Sequence, residues 1–156
     1  MARRAIIMGE RKRIALIAHD NRKAELLQWA RYNRGGLEAH DLVATGTTGT
    51  LLSEQLNLAV TCFRSGPLGG DHQIGAGIVE GKIDLVVFFW DPLEPHAHDV
   101  DVRALLRIAM VYNIPIACNQ ATADFMFSSP LIRREYRRFI TDAKERIRDA
   151  ETASVF

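Results

Sequence analysis

Ile14-Ala15-Leu16-Ile17-Ala18-His19-Asp20 stays apolar for five positions and turns polar only at its end. A strand with one wet face alternates apolar and polar residues, whereas a strand covered by helices on both faces does not. This run therefore reads as an interior strand of a parallel sheet. Residues 42–44, 59–63, 85–90 and 114–118 share its character. Between them apolar residues recur at helical spacing: Ala24, Leu27 and Ala30, then Leu51, Leu52 and Leu56, and later Ala104, Leu105, Ile108 and Ala109. The alternation predicts an α/β domain with a five-stranded, mainly parallel sheet. Gly35-Gly36, Gly81-Lys82 and Asn113 before Ile114-Pro115 predict the ends of the first, third and fourth helices.

The length of 156 residues, with 47% hydrophobic content, suits a single domain over 1–156 with one substantial core. Residues 131–156 carry Arg133, Arg134, Arg137, Arg138, Lys144, Arg146 and Arg148 among few apolar positions, which predicts a C-terminal helical tail on the surface or at a subunit contact. No aromatic stacking motif accompanies these cations, and 20 basic against 19 acidic residues produce no global field, so nucleic acid is not an expected partner. No apolar run is long enough to span a bilayer, and charge interrupts residues 1–8 before a signal-peptide core develops. A cytoplasmic protein without a membrane partner is expected. Cys62 and Cys118 lie in or beside strand-like runs, where small buried thiols are expected.

Ligands of open α/β sheets bind beyond the carboxyl ends of the strands. Nearly every chemically capable group falls there: His19, Asp20 and Lys23 after the first strand, Thr45-Gly46-Thr47-Thr48-Gly49 after the second, Ser65-Gly66-Pro67-Leu68-Gly69-Gly70-Asp71 after the third. The threonine segment pairs hydroxyl donors with glycines that let backbone approach a ligand, which describes a phosphate cup; an ordinary helix cap would use the same residues. It matches neither a nucleotide P-loop nor a dinucleotide fingerprint. Lys23, one helical turn past His19, can neutralise phosphate charge or simply be solvated. Asp71 either caps the next helix or, facing a substrate, removes a proton from carbon beside a carbonyl.

Residues 90–101 hold two prolines, two histidines and several carboxylates. His96-Ala97-His98-Asp99 partly matches the His-x-His-x-Asp-His pattern of binuclear metallohydrolases, but Val100 and Asp101 stand where its aspartate and last histidine belong. The spacing thus disfavours a metal. A neutral His98 polarising a carbonyl oxygen, oriented or tuned by Asp101, is the better reading.

Taken together, these segments, with Phe88-Phe89-Trp90-Asp91-Pro92, residues 101–107 and residues 119–125, resemble the methylglyoxal synthase family from about Ile14 to Pro130. The resemblance implies a doubly wound three-layer α/β/α sandwich of strand order 3-2-1-4-5, a homohexamer, and no metal or organic cofactor. It implies dihydroxyacetone phosphate as substrate, methylglyoxal and inorganic phosphate as products, and phosphate as an inhibitor. It further implies Asp71 as catalytic base assisted by His98 and Asp101, with substrate contacts from His19, Lys23, Thr45, Gly46, Thr47, Thr48, Ser65, Gly66 and His98. The resemblance also implies a phosphate-binding arginine in the C-terminal segment, for which Arg146 and Arg148 are the candidates in a tail that does not align cleanly. A non-catalytic ligand-binding module, similar to the allosteric region of the large carbamoyl phosphate synthetase subunit, is the alternative.

Overall fold

The middle strand of the sheet explains the rest of the architecture, because both of its faces are packed. The computed structural model describes residues 3–95, 98–141 and 151–153. In chain order the elements are β1 (Arg3–Met8), β2 (Arg13–Ala18), α1 (Lys23–Tyr32), α2 (Arg34–Glu38), β3 (Asp41–Thr45), α3 (Gly46–Leu56), β4 (Val60–Phe63), α4 (Gly70–Val79), β5 (Leu85–Phe89), α5 (Asp99–Val111), β6 (Ile116–Ala117), α6 (Gln120–Ser128) and β7 (Tyr136–Thr141). The main sheet runs β4-β3-β2-β5-β6, all parallel. Counting only those five strands, this is the expected 3-2-1-4-5 order.

Successive strand residues face opposite sides, so one run feeds two cores. Ile14, Leu16, Leu42, Ala44, Leu85 and Val87 pack with Leu26 and Trp29 of α1, Leu52 of α3 and Ala123 of α6. Ala15, Ile17, Val86 and Phe88 pack with Ile74 and Ile78 of α4 and Val102 and Leu105 of α5. The helices thus form two layers around the sheet.

Four local expectations require correction. Gly35-Gly36 does not end α1, which stops at Tyr32; both glycines lie inside the short α2. The fifth strand narrows to Ile116–Ala117. Cys62 is exposed on β4, an edge strand with a strand neighbour on one side only, while Cys118 is half-buried and burial raises its thiol pKa. Residues 136–141 of the expected helical tail are instead the strand β7, antiparallel to β1 in a separate two-stranded ribbon. Neither strand carries enough alternation to announce its partner across the length of the chain. Residues 142–150, with Lys144, Arg146 and Arg148, lie outside the described residues.

Two buried cations hold the ribbon to the domain. Lys12, 1% exposed, donates to the carbonyls of Gly9 and Arg134, and the Arg138 guanidinium donates to the Tyr112 carbonyl. Burial lowers both pKa values. Nearby, Asp84 is buried and accepts the Arg13 backbone N–H at 2.8 Å and its guanidinium at 2.9 and 3.0 Å, fastening the starts of β2 and β5 together. Asp84→Ala should lower stability by about 1–3 kcal/mol, read as a lower urea midpoint at unchanged slope.

Candidate active site

Four βα junctions open onto one cavity of about 310 Å³ at the carboxyl edge of the sheet, beside the point where the chain changes direction between β2 and β5. His19, Lys23, Thr45, Gly46, Thr48, Ser65, Gly66, Asp71 and His98 all line it. Thr47 and Asp101 do not line the cavity. Thr47 is exposed and takes a hydrogen bond from the Lys23 ammonium, which also pairs with Asp20 at 2.7 Å. The Asp101 carboxylate turns to His72, whose Nε2 lies 3.4 Å from Oδ1. His96 lies outside the described residues.

One wall of the cavity suits an anion. α3 begins at Gly46 with Thr45 as its cap, so the first-turn N–H groups of Thr47 and Thr48 have no acceptor within the helix. Thr48 Oγ1 is buried without a hydrogen-bond partner. Lys23 brings positive charge to the same helix start. The approach of the loops depends on glycine: Gly46 has φ of 51°, and a Cβ there would sit 2.9 Å from Ser65 Cα and Cβ. The Gly46 N–H itself donates to the Arg64 carbonyl at 3.1 Å, tying the second junction to the third.

The opposite wall carries the reactive groups. After β4 the chain makes one 3-10 turn, Gly66–Leu68, and enters α4 with Asp71 in its first turn. Asp71 is 2% exposed and its Oδ2 has no hydrogen-bond partner. His98, which caps α5, places Nε2 3.9 Å from that oxygen, an electrostatic distance rather than a hydrogen bond. Burial raises the Asp71 pKa above the usual carboxylate value; Asp101 adds to the rise, while His98 and His72 oppose it. A raised carboxylate in a cleft is a general base with useful strength near neutrality. Gly66 keeps this space open, since a Cβ would lie 3.3 Å from both Asp71 oxygens and 3.4 Å from His98 Nε2.

His19 is fixed as a neutral donor. Its Nδ1 accepts the Asp91 backbone N–H at 3.1 Å, so the ring proton resides on Nε2. Its ring also meets that of His98 edge-on at 5.5 Å. Asp91, buried at 5% exposure, is a supporting residue that spacing did not single out. Asn21 donates to its Oδ2 at 3.1 Å and the Leu93 N–H to its Oδ1 at 3.1 Å. The available sign was its place directly after the buried fourth-strand run and before Pro92, where a short polar residue shapes a turn. His40, by contrast, sits at the other end of the sheet, where Nδ1 accepts the Lys12 N–H at 2.9 Å.

Comparison with known proteins identifies the family. The family model for the MGS-like domain matches residues 25–118. A methylglyoxal synthase of Saccharophagus degradans is 57% identical over 142 residues, covering 91% of this chain and 92% of that protein. One from Leptospira interrogans is 54% identical, covering 88% and 93%. The crystal structure of methylglyoxal synthase from Elizabethkingia anophelis superposes with a TM-score of 0.85 at 49% identity, covering 89% of this chain and 91% of that one. With such identity sustained over nearly its whole length, on a fold that superposes closely, the chain belongs to the methylglyoxal synthase family.

Proposed function

We propose that this chain is a lyase converting dihydroxyacetone phosphate to methylglyoxal and inorganic phosphate, using no metal or organic cofactor. The observation that carries the reading is Asp71, a buried carboxylate with one oxygen unbonded, across a cavity from a helix start rich in hydroxyls and beside a lysine. The relatives' shared name supports the same substrate and products.

The substrate's phosphate rests on the α3 start, held by Lys23, the Thr47 and Thr48 N–H groups and the hydroxyls of Thr45, Thr48 and Ser65. Asp71 removes a proton from the hydroxymethyl carbon, and the C–H electron pair becomes the C=C bond of an enediolate. His98 and His19 donate hydrogen bonds to oxygen as negative charge grows there. The enediolate's hydroxyl proton passes from the former hydroxymethyl oxygen to the central oxygen; the former closes to an aldehyde C=O, the C=C pair shifts to the phosphate-bearing carbon, and the C–O bond breaks with phosphate taking its electron pair and the proton held by Asp71. The resulting enol loses its hydroxyl proton and takes one on its terminal carbon, becoming methylglyoxal. Elimination requires that C–O bond to stand perpendicular to the enediolate plane, so the cup governs the outcome by orientation. Asp101 acts through its charge on Asp71 rather than by touching substrate.

A ligand-binding module needs the cup but has no use for a buried, unpaired carboxylate beside an imidazole, so the enzyme is favoured. Product phosphate fits the same cup and inhibits by competition. Copies assemble as a homohexamer, a reading supported by the exposed Tyr32, Leu93 and Phe125 and by the open β4 edge. Among the described residues no helix is long and apolar enough to cross a membrane. We place the protein in the cytoplasm, where phosphorylated trioses are retained by their charge.

Purified protein given dihydroxyacetone phosphate in chelator should release methylglyoxal and phosphate in equal amounts; phosphate accompanied by dihydroxyacetone would mark a phosphatase, and activity restored only by zinc a metal-dependent hydrolase. Asp71→Asn should lose at least about 10²–10⁴-fold in kcat while still binding phosphate. The same variant should melt higher than wild type near neutrality. Because the folded state holds the Asp71 proton more tightly than the unfolded chain, stability is fullest below the ordinary carboxylate pKa and falls as pH rises through the raised one. The thermal advantage of the Asn variant should therefore vanish on acidification. Gly66→Ala should cut kcat/KM by about tenfold or more, since even a sub-ångström shift of the base disrupts alignment.

A further inference from the structure

The two walls of the cavity are tied together at Arg64, which lies between β4 and the turn at Gly66–Leu68. Its carbonyl accepts the Gly46 N–H at 3.1 Å, fixing it to the residue that opens α3 and the anion cup. Its own N–H donates to Gln73 Oε1 at 2.8 Å, fixing it to α4 two residues beyond Asp71. Gly70 permits this approach: a Cβ there would stand 2.0 Å from the Arg64 carbonyl oxygen and 2.9 Å from that of Ser65. The turn that follows is closed by backbone, the Ser65 carbonyl accepting the Leu68 N–H at 3.0 Å and the Gly70 N–H at 2.9 Å.

We propose that Gln73 is a positioning residue for the lyase step: its side-chain oxygen, by holding the Arg64 N–H, fixes the span between the base Asp71 and the phosphate cup. This rests on the reading of Asp71 as the base. Gln73 does not line the cavity, so it acts through Arg64 and not on substrate.

Stability gives little reason for the bond. Gln73 and Arg64 are both exposed, where water can serve a backbone N–H. Position gives a stronger one. The cup grips the phosphate at one end of a triose while the base must meet a carbon at the other, so the distance between the starts of α3 and α4 enters the reaction geometry directly. A misplacement of about 1 Å can cost about 10²-fold. Gln73 and Asp71 ride on the same helical turn, so any shift of Arg64 relative to Gln73 is a shift of the cup relative to the base. Without the acceptor, Arg64 stays with α3 through Gly46, and α4 is left to the hold of the Gly66–Leu68 turn.

The test compares wild type with Gln73→Met, which keeps the side chain's length and loses the acceptor, and Gln73→Glu, which keeps an acceptor oxygen in the same place. With dihydroxyacetone phosphate as substrate, the Met variant should lose about tenfold in kcat. Its dissociation constant for inorganic phosphate should stay within about twofold of wild type, because the α3 start that meets the anion is untouched. The Glu variant should recover most of the lost rate. A second readout needs no turnover: in NMR-detected amide hydrogen exchange, the Arg64 N–H should exchange faster in the Met variant than in wild type or the Glu variant. A Met variant with wild-type kcat, a Glu variant as slow as Met, a loss that appears equally in phosphate affinity, or an unchanged Arg64 exchange rate would overturn the proposal. Wild-type protein that turns over no dihydroxyacetone phosphate would sink the lyase reading and this role with it. An active wild type beside an equally active Met variant would remove only the role.

Discussion

Parallel pairing of β2 with β3 on one side and β5 on the other is the constraint on which the rest of the molecule depends. A parallel strand sends its chain out at the same edge as its neighbours, so every junction that follows a strand is delivered to one end of the sheet. Four junctions arrive there with different chemistry: an imidazole and ammonium, a helix start with hydroxyls, a glycine-shaped turn ending in a carboxylate, and a loop ending in a second imidazole. None of them is reactive alone. The sheet also supplies rigidity, because β2 and β5 are buried on both faces and the side chains they position cannot drift without opening a core.

In the proposed reaction the site works by withholding solvent from one carboxylate. Burial raises the pKa of Asp71, and the same burial that makes it a stronger base makes its charged form a burden on folding. His98 partly relieves that burden without forming a hydrogen bond that would quench the oxygen's basicity. On the far wall, the α3 start presents backbone N–H groups and hydroxyls, which do not titrate in this range, with the Lys23 ammonium beside them. In the proposed reaction binding and proton removal are thereby separated, one wall neutralising charge and the other holding the base.

Where expectation and structure part, the reason is long-range. The ribbon β1–β7 joins residues 3–8 to residues 136–141, and an arginine-rich stretch became a strand because another strand, the Tyr112 carbonyl and the Lys12 ammonium awaited it. Gly35-Gly36 were helix-compatible once Leu37 found a buried place in the core. Cys62 was read as buried from its apolar neighbours, but an edge strand has a neighbour on one side only. In each instance local pattern was sound and the position of the element within the sheet overrode it.

The alternation of apolar runs with helical periodicity and the gathering of His19, Thr45, Ser65, Asp71 and His98 at one edge were legible from the amino-acid sequence, because they follow from residue periodicity and from the geometry of parallel sheets, whereas the strand order came only from the family resemblance. Only the tertiary structure decided that the Asp91 N–H sets the His19 tautomer, that Asp101 turns to His72 instead of lining the cavity, and that one Asp71 oxygen stays unbonded. These depend on which atoms lie within a few ångströms across elements far apart in the chain. Periodicity records which face a residue presents; burial and charge at an atom are set by what the fold brings against that face.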